Sequence, residues 1–499
     1  MTANRLRPNQ NPFELAKELS GKLLIDGVMR PALSGHTFVN VNPATGEVIG
    51  QAAEGESADV DAAVGAAVRA QKLWTKLPAR ERGKLISECG SLLNNHVEEL
   101  GRLVALETGK ALRTESRIEA SVLADVFVFF GGLGSELKGE TVPFRPDMLT
   151  LTVREPLGVV GAIIPWNVPM MLMALKIAPA LVAGNTVVVK SAEESPFAVL
   201  RACEIMNQIL PPGVLNILSG MGPECGGPLV AHKDVRKVTF TGSVETGRTI
   251  YKAAAEKLIP VTLELGGKSP MIIMDDADLG KAIDGAVSGM RFTRQGQSCT
   301  AASRIFVQAG IHDEFVKRLR ARVDSLKMGD PLNETTDIGT IVSPQQYEKV
   351  KDYIRIGKKT PGMQAIVCSR LPEDKKLAKG LYVQPVIFTG VSNDSKLARE
   401  EIFGPVTCVI KFADYEDAIA QANDTEFGLA ATIWTRDLKT ALDAAHRLEA
   451  GFVQVNQNLV VTSNLSYGGV KSSGLGKEAT LEAMLEHFTH KKTMILNMQ

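Results

Sequence analysis

The chain is poor in cysteine. It has six in 499 residues, Cys89, Cys203, Cys225, Cys299, Cys368 and Cys408, with no CxxC pair and no regular spacing. That pattern argues against a disulfide framework or a zinc site and for a reducing compartment. No charge excess of either sign is present, since 56 basic residues balance 56 acidic ones. A nucleic-acid or acidic-membrane partner usually leaves a basic surplus, so both are disfavoured. Long apolar runs are missing too. The stretch from Met170 to Ala183 is interrupted by Lys176 and Pro179, ends at Gly184 and is too short for a bilayer. The N-terminus mixes Arg5, Arg7 and Lys17 with Glu14 and Glu18 and lacks an apolar h-region. No signal peptide is expected, and a cytoplasmic protein is. No repeat of fixed period and no low-complexity tract appears.

What remains is an ordinary globular composition, 44% apolar and 22% charged. At 499 residues, two or three domains are expected. Val60, Val64, Ala67 and Val68 recur at helical spacing and predict an amphipathic helix. From about 158 to 265, apolar strands alternate with helices. The strands are expected at 159–164, 186–190, 214–218, 237–241 and 260–265. Strands with few polar positions, joined by helices, indicate an α/β fold with a parallel sheet covered on both faces. Ligands bind such sheets at the carboxyl ends of the strands. Asn167, Lys190, Gly242 and Glu264 all fall at or just past expected strand ends. A second α/β region is expected from about 268 to 470, with strands at 271–274, 303–308 and 406–412. The segment 148–153 and the tail 493–496 are further strand candidates, either of them an exposed edge that could pair between subunits.

Three short segments carry chemistry. Cys299 follows Gly296-Gln297-Ser298 in a polar, small-residue stretch. Free cysteine is most often a buried small hydrophobe. This setting, with its partners, suits a thiol nucleophile instead, one needing activation because an unperturbed thiol is mostly protonated at neutral pH. Glu264 ends an apolar strand ahead of Gly266-Gly267, and is either a strand-end charge or a positioned base. The two glycines permit close approach of another group. Asn167 follows Pro165-Trp166. It is either a helix N-cap, whose side chain accepts, or an oxyanion-hole residue, whose amide donates. Together the three suggest thioester chemistry on a carbonyl. Gly242-Ser243 opens a helix where backbone N–H groups can hold a phosphate. Lys190 and Glu193 form either a solvated loop or a ribose clamp, and Glu193 would repel a 2′-phosphate, favouring NAD over NADP.

These residues, in this order, resemble the aldehyde dehydrogenase superfamily over nearly the whole chain. The match includes Asn42-Pro43-Ala44-Thr45-Gly46, Pro165-Trp166-Asn167, Phe240-Thr241-Gly242-Ser243 and Leu263-Glu264-Leu265-Gly266-Gly267-Lys268. It continues through Gly296-Gln297-Ser298-Cys299, Glu401-Ile402-Phe403-Gly404-Pro405, Asn423-Asp424, Phe427-Gly428-Leu429, Gly468-Gly469-Val470-Lys471 and Ser473-Gly474. The resemblance implies a Rossmann-type dinucleotide-binding domain over 1–138 and 158–267. It implies an α/β catalytic domain over 268–477 and a small β oligomerisation element over 139–157 and 478–499, in a homodimer or homotetramer.

It also implies roles. Cys299 is the nucleophile and Glu264 the general base. Asn167 and the Cys299 N–H form the oxyanion hole, and Lys176 and Glu478 match positions that relay protons. The NAD-binding set is Ile164, Pro165, Trp166, Lys190, Glu193, Gly242, Ser243, Gly266, Glu401 and Phe403, and no metal is implied. Substrate-tunnel residues are Val168, Met171, Leu172, Leu175 and Thr293, with Ser298, Thr300, Leu465 and Tyr467. Most are apolar or small, which fits an apolar aliphatic or aromatic aldehyde. The chain departs from the family where Arg294 replaces a frequent Asn and Ser466 a frequent Pro. Arg294 can anchor a substrate carboxylate through its planar fork or serve as a structural cation. Two rival readings are a CoA-acylating enzyme, which Glu264 disfavours, and a non-catalytic member, which intact Cys299, Glu264 and Asn167 disfavour.

Overall fold

The computed structural model describes residues 11–458 and 462–499. The repeated apolar residues at 60, 64 and 67 lie on one helix, Ser57–Trp74, which buries them together with Trp74. This helix packs on an eight-stranded sheet. Its strand order is Val28–Arg30, Leu23–Ile25, Leu215–Leu218, Thr186–Lys190, Val159–Ile163, Val235–Thr241, Val261–Glu264 and Gly474–Leu475. The five strands from Leu215–Leu218 to Val261–Glu264 run parallel. They read as continuous apolar runs because helices cover both faces.

Chain order reverses at Val159–Ile163, which lies between Thr186–Lys190 and Val235–Thr241. Such a switch point opens a crevice at the strands' carboxyl ends. The segment 164–167 and Gly242-Ser243 both leave the sheet there. Residues 474–475, expected in the catalytic region, close this sheet antiparallel to Leu263 and Glu264. A second sheet of seven strands runs Gln364–Val367, Val386–Thr389, Val406–Phe412, Arg304–Gln308, Pro270–Ile273, Ala430–Trp434 and Phe452–Val455. It is parallel apart from its first strand.

Helix Pro169–Val182 is buried along its whole length, which explains why it is apolar at every position but Lys176. The run Leu112–Glu136 is apolar and long enough to cross a bilayer, yet only half buried. It is a π-helical turn at Leu112–Ser116, an α-helix over Arg117–Gly132 and a 3₁₀ turn, packed against Ala79–Asn94 and Pro169–Val182. Its charged residues make ion pairs inside the fold, as Glu119 does with Lys110 and Glu115 with Arg294.

The two candidate edge strands pair with each other. Met148–Pro156 and Thr489–Asn497 form an antiparallel ribbon in unbroken register from Thr489 opposite Pro156 to Asn497 opposite Met148. The tail therefore has its strand partner within the chain. Leu149, Ile495 and Leu496 stay exposed on that ribbon.

Candidate active site

Cys299 sits on a loop made rigid by glutamines. Gln297 donates to the carbonyls of Arg294 (3.3 Å) and Thr340 (3.2 Å) and accepts from the Val342 N–H (3.0 Å). Gln295 donates to the Gly339 carbonyl at 2.7 Å. The two glycines after Glu264 are needed for contact. A Cβ on Gly267 would strike the Cys299 carbonyl, and one on Gly266 would strike the Glu401 carboxylate. Glu401 in turn accepts from the Gly267 N–H at 2.8 Å.

Asn167 does not cap the helix that follows it, because a residue far away takes that work. The N-cap of Pro169–Val182 is Val168, without a side-chain cap bond. Glu119 does that work, accepting from the Met170 N–H at 2.7 Å. Glu119 also pairs with Lys110, which donates to the Asn167 carbonyl at 2.7 Å. The backbone of Asn167 is thus pinned and its amide is spared from capping. That amide makes only a long contact, 3.5 Å, to the Gln297 carbonyl.

Tyr467 places its hydroxyl 3.4 Å from the Cys299 sulfur. Burial pushes the Cys299 thiol up to about 11, and the Tyr467 hydrogen bond and the Arg294 charge pull against that rise. Glu264 is buried, and neither carboxylate oxygen finds a well-formed hydrogen bond. Desolvation and then the Glu478 charge raise its pKa well above the usual carboxylate range, while Lys176 and Lys477 counter them. Lys176 and Glu478 are themselves a buried ion pair at 2.6 Å. A carboxyl raised in this way suits proton transfer.

Two cavities meet at Cys299. The first, a cleft of about 700 Å³ on the switch-point side, is lined by Pro165, Trp166, Asn167, Gly242, Ser243, Glu264, Gly266, Cys299, Glu401 and Phe403. Trp166 and Phe403 meet edge to face at 5.3 Å. Ser243 caps helix Val244–Ala255, accepting from the Thr246 N–H at 3.2 Å, so a helix N-terminus opens on the cleft. Thr241, Gln346 and Lys349 also line it. Sequence reasoning missed Gln346 and Lys349, which lie on helix Pro344–Lys359 outside any motif. Ile164, Lys190 and Glu193 fall outside this lining. Lys190 and Glu193 are paired at 2.8 Å, and the Ile164 N–H donates to the Lys190 carbonyl at 3.0 Å.

The second cavity, about 610 Å³, holds six of the nine expected tunnel residues: Val168, Met171, Leu172, Ser298, Thr300 and Tyr467. The other three lie elsewhere. Leu175 lines a separate small cavity beside Glu478, one turn further along its helix than Met171. Thr293 turns its hydroxyl to Glu115. Leu465 is 43% exposed. Arg294 is held by Glu115 through Nε (2.9 Å) and Nη2 (2.5 Å), which favours the structural-cation reading of this arginine. Ser269, Arg291, Thr432, Phe452, Gln454 and Asn458 complete the wall and were not foreseen.

A thiol, a desolvated carboxyl and a loosely held amide thus stand at the junction of two cavities. The Aldehyde dehydrogenase family model matches residues 31–494. This chain belongs to the aldehyde dehydrogenase family. It is 42% identical to "Aldehyde dehydrogenase 1" of Tanacetum cinerariifolium over 97% of each chain. The solved aldehyde dehydrogenase of Bacillus cereus (E194S mutant) superposes with a TM-score of 0.94 at 38% identity, covering 98% of this chain and 99% of that one. Betaine aldehyde dehydrogenase of Staphylococcus aureus, solved with NAD+, gives 0.94 at 35%, covering 99% and 98%. The chain is an aldehyde dehydrogenase by family, an enzyme that oxidises aldehydes to acids.

Proposed function

We propose that this protein oxidises an aldehyde with an apolar aliphatic or aromatic body to its carboxylic acid with NAD+, through a thioester on Cys299. The observation that carries this reading is the position of Cys299 on the rim of both cavities, with Glu264 and Asn167 in the same cleft.

The cleft suits a dinucleotide. Its floor has a buried Thr241 hydroxyl without a protein partner, a helix N-terminus at Ser243 and an aromatic pair at Trp166 and Phe403. Gly242 and Ser243 would lie by the pyrophosphate, and Glu401 and Phe403 by the nicotinamide end. Lys190 and Glu193 would hold the adenosine ribose, with the Glu193 charge favouring NAD+ over NADP+. Bound there, the cofactor supplies the acceptor for the hydride that leaves the carbonyl carbon.

The chain's own residues do the rest. Tyr467 helps stabilise the Cys299 thiolate, which attacks the aldehyde carbon. The Asn167 amide and the Cys299 N–H hold the oxygen as it gains charge. Glu264 takes a proton from water, which attacks the thioester and releases the acid. The proton then leaves by way of the Lys176–Glu478 pair. A carboxyl base beside Cys299 supports water rather than CoA as the acyl acceptor.

Six free cysteines support a reducing, cytoplasmic setting. The apolar face of the two-stranded ribbon supports a second copy of the chain as its partner, in a dimer or tetramer. Glu264→Gln tests the mechanism. A burst of NADH followed by turnover slowed about 10²–10⁴-fold is expected, and unchanged steady-state turnover would overturn the base assignment.

A further inference from the structure

The substrate cavity has two unlike walls. Val168, Met171 and Leu172, from the start of helix Pro169–Val182, make one apolar. The other comes from the second sheet and is polar. Ser269 and Thr432 stand there, 4% and 3% exposed, and neither hydroxyl has a hydrogen-bond partner in the protein. A buried hydroxyl left unmet is costly, so two of them on one cavity point to a ligand atom that meets them.

The same cavity carries charge. Arg294 commits Nε and Nη2 to Glu115, whose other oxygen is taken by the Thr293 hydroxyl, so that group is neutral as a whole. Arg291 also lines the cavity and brings a second guanidinium to it. Arg291 is the C-cap of helix Leu279–Met290 and is held in the left-handed region, φ 57 and ψ 45. Glycine or asparagine usually fills that position, and another residue there is strained. Strain of this kind concentrates where a side chain is needed.

We propose that this wall binds a carboxylate carried at the far end of the substrate from its aldehyde. Arg291 supplies the charge, and the Ser269 and Thr432 hydroxyls donate hydrogen bonds. The aldehyde carbon meets Cys299, the apolar body runs along Met171 and Leu172, and the product is a dicarboxylate. The proposal rests on the dehydrogenase reading above, since it names the class of aldehyde which that site takes.

The test compares paired substrates on the full chain with NAD+: 4-formylbenzoate against benzaldehyde, and 5-oxopentanoate against pentanal. The wild type is expected to favour each carboxylate in kcat/KM by about tenfold or more, chiefly through KM. Arg291→Met is expected to abolish that preference and Arg291→Lys to keep most of it. A wild type that uses benzaldehyde and pentanal as well as their carboxylates overturns this inference and leaves the dehydrogenase reading standing. A preference that survives Arg291→Met overturns the role of Arg291. No NADH from any of the four aldehydes sinks the dehydrogenase reading and this inference with it.

Discussion

Tyr467→Phe removes one oxygen from the site and nothing else. The phenol is buried, and its hydroxyl lies 3.4 Å from the Cys299 sulfur. Burial, the Cys299 charge and the Glu264 charge hold the Tyr467 pKa well above 10, so the hydroxyl stays neutral and able to donate at working pH. Its hydrogen bond is one of two influences that lower the Cys299 thiol, which desolvation otherwise lifts to about 11. A hydrogen bond of this kind is worth about 0.5–1.5 kcal/mol, or roughly 0.4–1.1 pH units. Without it the thiol pKa rises further. Below that pKa the thiolate fraction falls by the same factor, about two- to tenfold at a given pH. The assay is the rate of iodoacetamide alkylation of Cys299 against pH, followed by mass spectrometry, without cofactor or aldehyde. The midpoint should move upward and the rate at pH 8 should drop about two- to tenfold. An unchanged or faster rate would refute the claim that Tyr467 activates the thiol.

Two further outcomes follow from the site. Asn167→Ala should lower kcat about 10²–10³-fold with little change in the melting temperature, because Lys110 holds the Asn167 backbone independently of its side chain. Steady-state kinetics beside circular dichroism checks this, and a loss of folding in step with activity would contradict it. If the Glu193 charge sets the cofactor preference proposed above, Glu193→Gln, which also releases Lys190 from its pair, should raise kcat/KM for NADP+ relative to NAD+ by on the order of tenfold. An unaltered cofactor ratio would place the ribose elsewhere.

Much of the architecture was legible because its signals are local. The apolar runs at 159–163, 186–190 and 261–264, set between helical stretches, read as strands covered on both faces, and the structure has strands there. Gly266-Gly267 announced a close approach, and the Cys299 carbonyl and Glu401 fill it. What stayed hidden depends on residues distant in sequence. Glu119 caps a helix 51 residues on and so frees Asn167. Tyr467 reaches Cys299 across 168 residues, and Glu115 neutralises Arg294 across 179. Strand alternation revealed Met148–Pro156 and Thr489–Asn497 but not their pairing, since register between remote strands leaves no local mark. Leu175, Thr293 and Leu465 do not line the cavity at Cys299, because resemblance gives a position along the chain and not what surrounds it in the fold. One cue was available. Arg291 stands three residues before Arg294, and two arginines so near a nucleophile are unusual for a wholly apolar tunnel.

The coupling of Glu264 to the buried pair behind it can be tested through Lys176→Met. Glu264 is raised first by desolvation and then by the Glu478 charge, and Lys176 is the largest influence pulling it down. Removing Lys176 leaves Glu478 without its partner, so the Glu264 pKa rises further. In the mechanism proposed above Glu264 acts as a carboxylate, so the acidic limb of the kcat profile should move to higher pH. The sign for stability runs the same way. A carboxyl raised by folding favours its protonated form in the native state, so its contribution is lost as pH climbs from the unfolded value toward the folded one. The variant should therefore be less stable at neutral pH. Loss of one partner from a buried pair costs about 3–5 kcal/mol, read as a lower melting temperature. Rates are to be compared at a temperature where circular dichroism shows both proteins folded. An acidic limb that stays in place, with stability reduced, would make Lys176 a structural partner of Glu478 alone. A limb that moves to lower pH would reverse the electrostatic argument and disconnect the pair from the base.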